Sequence, residues 1–132
     1  MNTPYGLSVD VDLAYDQALE RVTEALKNEG FGVLTTIDVK ATMKAKLDVE
    51  FRRYVILGAC NPPLAHRALS EELEVGLLLP CNVIVYERDE GGSTISAINA
   101  LAVMSFAGNP SLETVAEEVS AKLERVLAAV GP

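Results

Sequence analysis

Only two stretches of this chain carry a long helical stripe, and they stand near its opposite ends. Tyr15, Ala18, Leu19, Val22, Ala25 and Leu26 recur at three- and four-residue intervals, as do Leu112, Val115, Ala116, Val119, Leu123, Val126, Leu127 and Val130. Between them lie apolar runs of strand length. Residues 5–12 alternate apolar and polar, which predicts a strand with one buried and one wet face. Residues 31–37 and 93–99 also read as strands, whereas 53–60 (RYVILGAC) and 75–87 (VGLLLPCNVIVYE) are apolar on both faces. Two long helices cannot cover both sides of about five strands. The chain is therefore expected to be α+β, a single layer of mainly antiparallel strands with both long helices on one face. The opposite face then keeps apolar side chains that need a cover, from a second copy or from a ligand.

Local signals punctuate this plan. Asp12 is placed to cap the first long helix and Gly30 to end it. Asp38 caps a short helix carrying Val39, Met43 and Leu47, and Asn61 followed by Pro62 opens another over 61–73. Pro80 bends the strand read over 75–87, and RDEGG closes a hairpin onto 93–99. Residues 100–108 fit a loop, a strand or a helical turn equally, and Asn109 and Pro110 open the final helix, which Gly131 stops. No repeat, linker or low-complexity run interrupts residues 1–132, so one domain is expected.

Composition narrows the function classes. Hydrophobic residues make up 49% and charged residues 23%, which excludes wholesale disorder. A formal net charge of −8 disfavours nucleic acid and anionic membrane surfaces, since both need clustered Lys and Arg. A small anion has Arg52, Arg53 or Arg67 to bind, where the local charge balances. No apolar stretch is long enough to span a bilayer, and the N-terminus reads as no export signal. Two cysteines without such a signal predict reduced thiols in the cytoplasm.

The residues with chemical potential gather in two tracts, GACNPPLAHRAL at 58–69 and LLPCNVIVYE at 78–87. Cys60 leaves its strand just before a helix N-terminus, a setting that favours a thiolate. The plainer reading of such a cysteine is a small buried hydrophobe. His66, the single histidine, lies beside the apolar arc of its helix and is a potential base for Cys60. Cys60, His66 and Cys81 are also three soft metal ligands, but their spacing lacks the tight pairs of structural zinc sites. Asn61 and Asp38 have ready explanations as helix caps. Asn82, inside an apolar strand, must find a partner or stay wet. Phosphate loops, nucleophile elbows and paired-histidine motifs are absent.

Three tracts, GFGVLTTIDVKATMKAKL at 30–47, YVILGACNPPLAHRAL at 54–69 and GLLLPCNVIVYE at 76–87, resemble those of the bacterial and archaeal family called domain of unknown function 302. The resemblance implies a small α+β domain with a TATA-binding-protein-like layout of strand, helix, run of strands and final helix, and a homodimer. It implies no activity. The residues it singles out are Asp38, Cys60, Asn61, Pro62, Pro63, His66, Pro80, Cys81 and Asn82.

The functional expectation is a cytoplasmic homodimeric module that binds a small ligand or partner in a groove near the two Cys-Asn pairs. Asp38, Asn61, Arg67, Cys81 and Asn82 are its contacts, no cofactor is named, and no metal is assigned. The alternatives are a thiol enzyme or redox sensor using Cys60, His66 and Cys81, and a Cys/His metal domain.

Overall fold

In the computed structural model, which describes residues 2–131, the alternating N-terminal segment is β1 (Gly6–Val11) and the first stripe is α1 (Tyr15–Asn28). There follow β2 (Gly32–Asp38), α2 (Val39–Leu47), β3 (Tyr54–Cys60), α3 (Pro62–Glu71), β4 (Cys81–Glu87), β5 (Ser93–Ile98), α4 (Ala100–Met104) and α5 (Glu113–Val130). All five strands form one antiparallel sheet in the order β1-β5-β4-β3-β2. β1 and β2 are its edges.

Both long helices lie on the same side of this sheet. Val22 and Leu26 of α1, and Leu123 and Val126 of α5, are sealed from solvent with Val83, Val85 and Ile95 beneath them. Each such side chain contributes about 1.5–3 kcal/mol on burial. Leu64 and Ala68 of α3 join this core, and Arg67 ties α3 to α5 by an ion pair to Glu118 at 2.6 Å. Among the described residues no helix is long and apolar enough to cross a membrane.

Asp38 and Asn61 cap their helices, accepting from the amides of Ala41 (2.9 Å) and Leu64 (3.3 Å). Asn61 also donates to the Glu29 carbonyl at 3.4 Å, joining the end of α1 to the start of α3. Asp12 does not cap α1. The half-buried Leu13 packs on the core and the helix begins at Tyr15, which leaves Asp12 too far upstream to reach the first free amides. The strand expected over 75–87 is shorter, because Leu73–Leu78 form a 3₁₀ helix and β4 starts only after the cis Leu79–Pro80 bond. Pro80 has no N–H for a ladder, and the tract before it leaves Leu73 and Leu77 83% and 84% exposed rather than pairing them. The ambiguous segment after β5 is helical, with Asn99 capping α4 through the Ala102 amide.

Gly58 in β3 marks the tightest point of the far face. A Cβ there would lie 2.2 Å from Thr35 Oγ1 and 2.8 Å from Pro80 Cγ. Gly58→Ala is expected to lower stability by about 1–3 kcal/mol, and adding Thr35→Ala to restore part of it. Urea denaturation of the three chains checks this, and no loss in Gly58→Ala would refute the packing.

Candidate functional site

Strand register lays out the face that the helices leave open. One row crosses all five strands as Ser8, Ser96, Ile84, Ile56 and Ile37. A second runs Asp10, Thr94, Tyr86 and Tyr54, and a third includes Asn82, Gly58 and Thr35. The face is therefore graded. Hydroxyls and a carboxylate occupy β1 and β5, and isoleucines and tyrosines occupy β4 and β3. Small polar side chains on the first two strands make room, and a hollow of about 520 Å³ lies over β1, β5 and β4.

The hydrogen bonds of the hollow are specific. Thr94 donates to Asp10 at 2.7 Å, and the hydroxyls of Ser8 and Ser96 bond to each other. Tyr86 stacks on Tyr54 with ring centroids 5.4 Å apart. Burial, and then the neighbouring Tyr86 and Tyr5 hydroxyls, push the Tyr54 phenol pKa up, so it remains a neutral donor at physiological pH. At the rim, Arg88 pairs with Glu90 at 3.0 Å and approaches Asp10 at 3.8 Å, while Arg52 pairs with Asp89 at 3.1 Å. Both guanidinium groups are thus already matched by carboxylates. The hollow suits a neutral or cationic organic molecule with an apolar body better than an anion.

The residues expected to form a site divide sharply. Asn82 lines the hollow. Asp38 and Asn61 are engaged as caps, and Arg67 is held by Glu118. Arg53 is likewise occupied, by Asp16 and the face of Tyr15, so none of the three arginines suggested for an anion is unpaired. Cys60 and Cys81 lie on adjacent strands and line a second, apolar pocket of only about 30 Å³, room for little more than a water molecule. Leu64, Ala68, Met104 and Val115 close the space between the cysteines and the helices, and the larger hollow lies on the open face, where it reaches Asn82. His66 is exposed on α3 and does not line that pocket. Among the described residues no three His, Cys, Asp or Glu side chains gather as metal ligands. Ser8, Asp10, Thr94 and Ser96 were not anticipated, although their alternation along β1 and β5 is the signal of a shared polar face.

Burial, reinforced by neighbouring Cys60, pushes the Cys81 thiol up to about 11. It is protonated and unreactive at neutral pH. In a folded Cys60→Ser chain, which keeps the burial but loses the Cys60 contribution, iodoacetamide labelling of Cys81 should still rise about tenfold per pH unit beyond the ordinary thiol range. A plateau near the ordinary thiol value of about 8.5 would contradict this environment.

The likeness to known proteins spans the whole fold. The family described as "Domain of unknown function DUF302" matches residues 7–130. The chain is also similar to the crystal structure of an uncharacterized conserved protein DUF302 from Bacillus stearothermophilus. The two are 33% identical with a TM-score of 0.88, over 95% of this chain and 97% of that one. No curated protein matches. With the family match and the shared fold in agreement, this chain belongs to the DUF302 family.

Proposed function

We propose that this protein is a non-catalytic binding domain that holds a neutral or cationic small organic molecule in the hollow over β1, β5 and β4. The observation that carries the reading is the hollow itself. Its volume of about 520 Å³ falls within the roughly 300–1,000 Å³ common to small-molecule sites. Its graded floor offers an apolar wall to the body of a ligand and the Ser8, Ser96, Thr94 and Asn82 side chains to its polar end. Catalysis by Cys60 has less support, since the exposed His66 makes no hydrogen bond to it among the described residues and Cys81 is held protonated. The reading includes a homodimer in the cytoplasm. The open sheet face supports the first part, and two unpaired thiols support the second.

A native mass spectrum of freshly purified protein tests the proposal. Each protomer should carry an extra mass of a few hundred daltons. Ser96→Phe, whose ring fills the floor of the hollow, should remove that mass, and Cys60→Ser should retain it. A bare wild-type chain would overturn the reading, as would an adduct that survives Ser96→Phe.

A further inference from the structure

We propose that the arm formed by β2, α2 and the segment leading into β3 is the surface on which a second copy of this chain docks. This placement rests on the homodimer of the reading above. From residue 32 to residue 54 no side chain is buried, although the segment forms a seven-residue strand and a nine-residue helix. A helix that short is marginal in water unless packing supports it. Its apolar side chains nevertheless recur at four-residue spacing, as Val39, Met43 and Leu47, and Leu47 remains 65% exposed.

β2 adds a second open feature. It is an edge strand containing no Lys, Arg or Pro, and Leu34 stands 68% exposed at its bulge. Solvent-facing edges are usually guarded by Lys, Pro, other charges or a bulge, and β2 has only the bulge and its terminal Asp38. Beyond α2, Val49 and Phe51 are exposed as well.

Area and charge identify the occupant as another copy. A chain of 14.1 kDa exposes 7624 Å², against roughly 6,700 Å² expected for a folded monomer of that mass. The excess of about 900 Å² is close to the roughly 800 Å² that each partner buries in a standard interface. Positions 38–53 hold five Lys or Arg against three Asp or Glu, within a chain of net charge −8. Arg52 and Arg53 pair with Asp89 and Asp16 outside the arm, and its three lysines stand against Asp38, Asp48 and Glu50, so the arm is close to neutral and two copies meet there without the like-charge repulsion of the acidic remainder.

Sedimentation equilibrium on the wild type, a Leu34→Lys/Leu47→Lys chain and a Leu77→Lys/Phe106→Lys chain tests the placement. All four positions are exposed, so circular dichroism should report the same fold in all three. The wild type and the Leu77/Phe106 variant should dimerise alike, and the arm variant about 100-fold or more weakly. Hydrogen exchange on the wild type gives a readout free of substitutions, in which amides of 32–54 should slow as concentration rises. A dimer unaffected by the arm substitutions, or one lost in the Leu77/Phe106 variant, would overturn the placement alone. A wild type that stays monomeric would overturn the homodimer with it.

Discussion

Burial of α1 and α5 against the same side of β4 and β5 fixes what the rest of the molecule can do. Val22, Leu26, Leu123 and Val126 meet Val83, Val85 and Ile95 with no solvent access, and both long helices are used up in that contact. The remaining helices are too short, or too far toward one end, to roof the other side. The sheet therefore has one face committed to stability and one left over. Ile56, Ile84, Tyr54 and Tyr86 occupy that second face, where burial is partial and polar neighbours are close.

Two separate regions follow from this one-sided packing. Over β1 and β5 the side chains are small and hydroxylated, so the surface sinks into a hollow in which Thr94 bonds Asp10 and Ser8 bonds Ser96, and whose rim charges are paired. Toward β2 the strand runs out from the core into a segment with no fully buried side chain. Gly58, with Thr35 and Pro80 crowded above it, stands on the same face as Asn82 and holds β2 and the loop before β4 close to β3. A ligand in the hollow and a second copy on the arm would occupy different parts of the same layer.

Much of this was legible in the residues. Alternation gave β1, the 3.6-residue period gave α1 and α5, and the polar atoms before Ala41 and Leu64 made Asp38 and Asn61 readable as caps. The apolar tract before Pro80 misled because composition does not distinguish a strand from a 3₁₀ turn, and only the missing ladder donor at Pro80 hinted at the break. The hollow was hidden for a different reason. Ser8 and Ser96 stand 88 residues apart, and register alone brings β1 beside the β4–β5 hairpin. The exposure of α2 was equally invisible, since Val39, Met43 and Leu47 have the spacing of a buried stripe. Of the Cys-Asn pairs, Cys81 is buried, and Asn61 ties the end of α1 to the start of α3.

The central claim is that the open face and the arm are working surfaces, covered in the protein as it exists in solution. Hydroxyl-radical footprinting of the purified protein, read by mass spectrometry, addresses it most directly. The account predicts that Leu34, Leu47, Ile84 and Tyr86 are oxidised far more slowly than their exposure in a lone chain implies, while Leu73, Leu77 and Phe106 react at the rates of free side chains. Oxidation of all seven in simple proportion to their exposure in the isolated chain would contradict it.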